Sequence, residues 1–366
     1  VNPIDFSDTE IIAHLLNRPQ VILPNDDLRA HYQGRRLLIT GAGGSIGSEI
    51  AKQALALGAE HVSLIDHSEL ALYEIDRSLR ELYEAPSITT LLCSIRDRDR
   101  LRSVFMREKP DCIFHAAALK HVPMVELNPS ESVLTNVLGT QNVIDSAKSA
   151  GVGTLVLISS DKAVAPSSLM GATKRLAEYL IASQISPSLQ ACTVRFGNVL
   201  GSTGSVVPQF WRQIHRGGPL TLTDPEAERF FMSIFEAVQL VLRAAMFNGK
   251  SPMNHSGLYV LEMGQPIKIV DLANSLINLA GLSKKDSIEL VYLGLREGEK
   301  ITEILLDDNE FRRQVAEGIF EVMPEIALLP LGPGTFPSLY DLAFRGDDEE
   351  AKGRVFELVR TLRASR

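Results

Sequence analysis

Ser159, Ser160, Asp161 and Lys162 set two hydroxyls, an acid and a base side by side, and Lys174 follows on the next segment. Side chains of these types can bind an oxygen, give a proton and take one, as acid–base work on a bound hydroxyl compound requires. The bland alternative is a solvated ion pair after a strand, worth little to stability. Two elements have to position the five residues. The aliphatic run Leu155-Val-Leu-Ile158 reads as a short buried strand that delivers the first four at its end, and Met170-Gly-Ala-Thr-Lys174 opens a helix that carries Lys174.

A second constellation lies upstream. Arg35-Arg-Leu-Leu-Ile-Thr40 reads as a strand, Gly41-Ala-Gly-Gly44-Ser45-Ile46-Gly47 as a glycine turn, and Ser48 to Leu57 as a helix. Together they form the first unit of a dinucleotide-binding fold. Glycines let the backbone approach a pyrophosphate, and the helix start offers free amides and the positive end of its dipole. Gly41, Gly44, Ser45, Ile46 and Gly47 are therefore the expected cofactor contacts. Asp66 ends the next apolar run, Val62-Ser-Leu-Ile-Asp66. It stands about 20 residues beyond the glycines, where a carboxylate accepts bonds from both ribose hydroxyls. No arginine follows at once to meet a 2′-phosphate, so the expected cofactor is NAD rather than NADP.

The alternation continues with a helix at 69–83, a strand at 88–93, a helix at 98–108 and a strand at 111–115. A long helical region to Ala150, the strand at 154–159 and a sixth strand at 191–196 follow. Such repetition predicts an α/β fold, a doubly wound parallel sheet of Rossmann type. Its ligands bind at the carboxyl ends of the strands. Asp97, past the third strand, either contacts an adenine amino group or caps the following helix. Ala116, Ala117 and Ala118 follow the fourth strand, and their small side chains allow a cofactor to come close. Lys120 and His121, just beyond, are either substrate contacts or structural, and Asn136 in the next helix reads as structural.

Composition narrows the classes. With 366 residues, 45% hydrophobic and 22% charged, the chain is long enough for one large domain with a second lobe. A formal charge of −8 disfavours broad capture of nucleic acid. Cys93, Cys112 and Cys192 sit far apart in apolar runs without the spacing of a zinc site, so no metal centre is expected and all three read as buried thiols. No apolar run reaches the roughly 18 residues of a membrane-spanning helix. Asp5, Asp8 and Glu10 near the start argue against a secretory signal. The first residue is Val1, which reads as a processed or excised part of a longer protein.

The glycine turn, Ala116 to Ala118, the Ser-Ser-Asp-Lys run and Lys174 together resemble an extended short-chain dehydrogenase/reductase. Leu119-Lys-His-Val-Pro123, Ser160-Asp-Lys-Ala-Val164 and Met170-Gly-Ala-Thr-Lys174 are similar to the UDP-N-acetylglucosamine 4,6-dehydratase family of polysaccharide biosynthesis, over about residues 35–305. The resemblance implies NAD, UDP-N-acetylglucosamine or a close UDP-sugar as substrate, and a fixed order of steps. Hydride leaves C4 of the sugar, and the resulting ketone acidifies the C5 proton. Lys162, with its amine desolvated and its pKa lowered, removes that proton while Asp161 protonates the departing C6 hydroxyl; hydride then returns to C6. Ser160 is expected on the C4 oxygen, and Lys174 on the nicotinamide ribose.

Met170 departs from the superfamily pattern. A tyrosine four residues before the helix lysine usually accepts the C4 hydroxyl proton, and a thioether cannot act as a base. Either the chain is a catalytically silent nucleotide-binding regulator, or Asp161 or a water relayed through Lys174 takes the proton. Met170 is similar to a branch with membrane-anchored relatives, which implies a cytoplasmic catalytic domain, held at the cytoplasmic face of the inner membrane if the native chain carries an N-terminal anchor. The nearest enzyme alternatives invert C5 of the 4-ketone or epimerise C4 of a UDP-sugar.

The second half of the chain is expected to hold that sugar. Arg195-Phe-Gly-Asn198 resembles a family segment that moves toward it, and the helix opened by Gly204-Ser205-Val206 offers amides to a diphosphate. Arg229 is expected on the diphosphate, and Arg296 and Glu299 on the UDP phosphate and ribose, with plain surface charge as the alternative for each. The expected domains are an arm at 1–34 with a short helix at 9–16, and an NAD-binding domain at 35–197 with return elements at about 233–261. A smaller, partly discontinuous substrate lobe takes 198–232 and 262–366. Residues 347–366 read as an amphipathic helix whose Val355, Leu358, Val359 and Leu362 form a packing or oligomer face. A homo-oligomer, a dimer or higher, through the helices around 122–150 and 171–183 is what the resemblance implies.

Overall fold

Nine strands build the main sheet of the computed structural model, which describes residues 8–83, 87–183, 188–247, 256–281, 288–324 and 335–364. They are β1 (Arg36–Thr40), β2 (His61–Asp66), β3 (Ile88–Leu92), β4 (Cys112–His115), β5 (Thr154–Ile158), β6 (Gln190–Arg195), β7 (Gly257–Leu261), β8 (Glu310–Ala316) and β9 (Ile319–Pro324). Their order across the sheet is β8-β9-β7-β6-β5-β4-β1-β2-β3. The first seven run parallel to their neighbours. The direction of winding reverses between β1 and β4, the switch point where doubly wound sheets bind ligands.

Both faces of this sheet are covered, and the strands alternate accordingly. Leu37 and Ile39 enter one apolar cluster and Leu38 the other; Cys112 and Phe114 oppose Ile113, and Val156 and Ile158 oppose Leu155 and Leu157. Helices Ser45–Ala56 and Ile234–Ala245 pack on the first face. Arg98–Glu108, Gly139–Ala150 and Leu169–Ala182 pack on the second. The three cysteines are buried and free, as their apolar surroundings implied.

Three features depart from the sequence reading. The helix after β1 starts at Ser45 rather than Ser48, with Gly44 as its cap residue. The sheet is not wholly parallel, because β8 and β9 form a hairpin that adds two antiparallel strands beside β7. Phe311 to Gln314 of β8 are largely exposed, so no buried alternation betrays that strand; β9 supplies the buried Ile319 and Val322. The last helices, Pro337–Arg345 and Asp348–Ala364, pack on the second face and bury Leu339, Ala351, Val355, Leu358 and Val359. Residues 310–324 and 337–364 thus belong with the main sheet, not with the lobe to which 262–366 was assigned.

That packing also alters the expected oligomer face. Every residue from Leu169 to Ile181 is buried within the single chain, so the face expected at 171–183 is covered by the chain's own last helix. The apolar stripe of that helix is spent on the same contact.

The smaller lobe has its own apolar cluster. Phe210, Trp211 and Ile214 of helix Val206–His215 meet Leu272 and Leu276 of helix Ile269–Leu279. Helix Thr9–Leu16, found at its expected bounds, inserts Ile12, Leu15 and Leu16 among them. From there the arm follows helix Ile234–Ala245: the Val21 amide donates to Glu236 at 2.6 Å, and the Tyr32 hydroxyl to the Leu242 carbonyl at 2.7 Å. Among the described residues, no helix is long and apolar enough to cross a membrane.

Candidate active site

The glycine turn follows β1 and leans on the loop after β4. Gly41 has φ 69°, and a Cβ there would lie 2.6 Å from the Ala117 nitrogen; one on Gly47 would lie 2.2 Å from the Gly41 oxygen. Neither position accepts a side chain. No side chain caps helix Ser45–Ala56, which leaves its first amides, at Ser45, Ile46 and Gly47, available to an anion. Asp66 is buried at the turn's edge, accepting from the Gly43 amide at 3.0 Å and the Ser68 amide at 2.9 Å. A backbone cradle with an acid beside it, flanked by half-buried Ala116, Ala117 and Ala118, fits a dinucleotide. Asp97 takes the capping alternative, since its carboxylate accepts from the Arg100 amide at 3.1 Å at the start of helix Arg98–Glu108.

At the end of β5 the chain makes a single 3-10 turn, Asp161–Ala163. The Lys162 amine donates to Asp161 Oδ1 at 3.0 Å and to Asn198 Oδ1 at 3.2 Å, and the Ser160 hydroxyl donates to the same Asp161 oxygen at 2.8 Å. Glu303 stands 3.6 Å from the Lys162 amine. Asp161 and Glu303 are both buried, and Asp161 Oδ2 and Glu303 Oε2 have no hydrogen-bond partner. This pairing reverses the expected state of Lys162. Burial alone would lower its pKa, but the charges of Asp161 and Glu303 and the hydrogen bond to Asp161 outweigh it and raise the pKa above the ordinary lysine value. Lys162 is an ammonium here, not a ready amine. Sequence reasoning missed Glu303, which reads as one more acid in the charged run Glu297-Gly-Glu-Lys300 and beyond.

Lys174 is the lysine whose pKa falls, to about 8, by burial, with Glu178 opposing. Its amine donates to the Ile158 carbonyl of β5 at 2.6 Å. The helix that carries it approaches the Asp161–Ala163 turn so closely that a Cβ on Gly171 would lie 2.1 Å from the Lys162 oxygen. Met170 is 3% exposed and packs in the apolar cluster on the second face, so it fills space and exchanges no proton.

Below these groups lies a buried histidine that sequence reading left unremarked. Thr140 donates its hydroxyl proton to the Asn136 carbonyl at 2.7 Å, so His115 Nε2, 3.0 Å away, must donate to Thr140. His115 Nδ1 then accepts from the Thr40 hydroxyl at 2.7 Å. Asn136 is itself structural, bonded to both backbone groups of Leu119 and to Thr173. Burial, with the charge of Lys174, pushes the His115 pKa down to about 3. An unfolded chain binds this proton near 6.5, so His115 stabilises the fold above that pH and the contribution is lost as pH falls toward 3. At pH 5 the loss should be about 2 kcal/mol, read as a fall in the urea midpoint from pH 7 to pH 5 that His115→Gln largely removes. An equal fall in that variant would contradict the assignment.

On the substrate side the residues separate. Lys120 donates to the Thr203 carbonyl at 2.9 Å, the Thr203 amide donates to Ser45 Oγ at 3.0 Å, and the His121 ring lies against Gly204. Ser45, Lys120, His121, Ser205 and Val206 are therefore gathered around one loop, and the buried Ser205 hydroxyl has no partner. Arg229 is anchored on the backbone: its guanidinium donates to the carbonyls of Glu228, Ile301 and Lys300, at 2.6, 2.7 and 2.7 Å. The Arg296 amide donates to Glu299 at 3.0 Å, closing a turn whose Arg296 side chain is exposed. Among the described residues, no group of three or more His, Cys, Asp or Glu is placed to hold a metal ion. A cavity of about 600 Å³ opens at the amino ends of the central strands, beside Arg35, Lys109 and Gln190, at the end of the sheet opposite to these residues.

The family described as "Polysaccharide biosynthesis protein" matches residues 37–324. The probable polysaccharide biosynthesis protein EpsC of Bacillus subtilis is 40% identical over 95% of this chain and 57% of its own, so the chain spans little more than half of that protein. A protein of Campylobacter jejuni named UDP-N-acetylglucosamine 4,6-dehydratase (inverting) is 34% identical over 81% of this chain and 85% of its own. A UDP-glucose 4-epimerase of Rickettsia bellii is 31% identical over 79% of this chain and 83% of its own. Among solved structures, Pen from Bacillus thuringiensis superposes with a TM-score of 0.71 at 32% identity, over 80% of this chain and 89% of that one.

Proposed function

The chain belongs to the polysaccharide biosynthesis protein family, and on that footing we propose that it is an NAD-dependent 4,6-dehydratase of UDP-N-acetylglucosamine or a close UDP-sugar. The observation that carries the reading is the Asp161–Lys162 pair, 3.0 Å apart, at the end of the strand whose Ile158 carbonyl holds Lys174. A 4-epimerase moves a hydride and one proton at C4 and has no work for a second acid–base pair. Elimination of water across C5 and C6 needs one.

Bound NAD would supply reversible hydride acceptance, from C4 and back to C6, held by the glycine turn and Asp66. The chain's own groups do the proton work. Ser160 bonds the C4 oxygen. Lys174, whose amine form is accessible with a pKa of about 8, takes the C4 proton in place of the tyrosine that Met170 replaces. At C5 and C6 the resting ammonium and carboxylate have to become amine and acid. One proton passing along the Lys162–Asp161 hydrogen bond makes both at once, and exclusion of water by the sugar favours that uncharged pair. Lys162 then takes the C5 proton and Asp161 protonates the leaving C6 hydroxyl; as C6 regains its hydride, Lys162 gives a proton back to C5.

Incubation with UDP-N-acetylglucosamine tests the reading by product mass. Loss of one water supports it, and unchanged mass with an altered C4 configuration supports the epimerase that the Rickettsia likeness favours. Unchanged substrate supports the silent regulator. Because Lys174 acts as an amine, turnover should rise with pH through about 8, and a rate flat from about pH 7 to 9 would remove it from the proton step.

A further inference from the structure

Glu303 has no part in the mechanism above, yet it is 4% exposed beside the reacting pair with one carboxylate oxygen unbonded. The chain carries it there deliberately pinned on both sides. Before it, the Lys300 amine donates to the carbonyls of Val164 and Ala165 at 3.1 and 2.9 Å, and Arg229 holds the carbonyls of Lys300 and Ile301. After it, Asp307 and Glu310 pair with the buried guanidinium of Arg175. Lys300 is an ion-pair neighbour of Glu303 at 3.8 Å, too far to hydrogen-bond it, and two of its three protons go to the carbonyls. A buried carboxylate oxygen left without a donor costs stability, so a purely structural Glu303 is a poor account.

We infer that Glu303 is a positioning residue of the proposed dehydration: it holds the Lys162 amine jointly with Asp161 and controls how readily that amine releases its proton. The inference rests on the dehydratase reading for its role in turnover. Two carboxylates on one ammonium oppose the proton shift from Lys162 to Asp161, because the amine formed would face the remaining charge of Glu303. Glu303 therefore keeps the pair charged until the substrate arrives.

The test titrates Lys162 without any substrate. Wild type, Glu303→Gln and Glu303→Asp are trace-labelled with acetic anhydride across pH, and the Lys162 peptide is quantified by mass spectrometry. In Glu303→Gln the half-labelling pH should fall by about one unit, and in Glu303→Asp, whose charge is drawn back, by less. The Lys162-dependent limb of the turnover profile with UDP-N-acetylglucosamine should move the same way. Coincident labelling curves overturn the inference, even where Glu303→Gln lowers turnover uniformly. If Glu303→Gln does not fold, the Glu303→Asp curve decides by the same criterion. A shifted curve in a protein that never consumes the sugar would sink the dehydratase reading and leave the hold of Glu303 on Lys162 standing.

Discussion

Lys162→Ala should stop dehydration, lowering the yield of the water-depleted sugar by about 10²- to 10⁴-fold. The residue that remains at C5 and C6 is Asp161, which can act as acid or base but not as both in one elimination. Removal of the C4 hydrogen does not need Lys162, so a 4-keto sugar that keeps its C6 hydroxyl should still form slowly. Trapping with borodeuteride at enzyme stoichiometry detects it by mass. The wild type in deuterium oxide should also place deuterium at C5, and the variant should not. The substitution leaves Asp161 and Glu303 buried together, so some loss of stability is expected as well. Lys162→Arg, which keeps the charge and offers no amine, separates the two effects: it should fold like wild type and still fail to eliminate water. Full dehydration by either variant would take Lys162 out of the reaction.

The largest stability effect is expected at Glu178. Its carboxylate accepts from Arg195 at 2.8 and 2.7 Å, from Arg175 at 3.0 Å and from the Ser159 hydroxyl at 2.6 Å. Arg175 and Arg195 are buried, and Glu310 and Asp307 are their remaining acidic partners. Breaking a buried ionic cluster by removing one member leaves charge without compensation and typically costs about 3–5 kcal/mol. Glu178→Ala should lower stability by that amount in urea unfolding, and a loss under about 1 kcal/mol would show the cluster to be dispensable. A second consequence reaches the active site. Glu178 raises the pKa of Lys174 against the effect of burial, so its loss should move the alkaline rise in turnover below about pH 8. Arg363 of the last helix pairs with Asp307, so that helix and the helix of Arg175 and Lys174 are tied through one network.

Much of this was legible residue by residue. The alternation of strands and helices, the glycine turn, Asp66, and the run from Ser160 to Lys162 followed by Lys174 are all short-range patterns. Each expresses a period or spacing that a few neighbouring residues impose on the backbone, and each lies where its pattern put it. The long-range features were not legible. Strand β8 exposes four consecutive residues, Phe311 to Gln314, and its place beside β9 depends on partners elsewhere in the chain. Arg229 is the residue type that binds a diphosphate, but folding hands its guanidinium to two carbonyls some 70 residues away.

The five residues at the end of β5 and on the following helix are thus a matter of sequence: which acid, which bases, and that a methionine stands where a tyrosine would. Their protonation is a matter of tertiary structure. Two lysines of the same intrinsic chemistry part company because burial, only partly offset by Glu178, leaves Lys174 with a pKa of about 8, while Glu303, distant in sequence, joins Asp161 in holding the Lys162 proton. A pKa depends on charge and solvent within a few ångströms, and only folding decides what stands there.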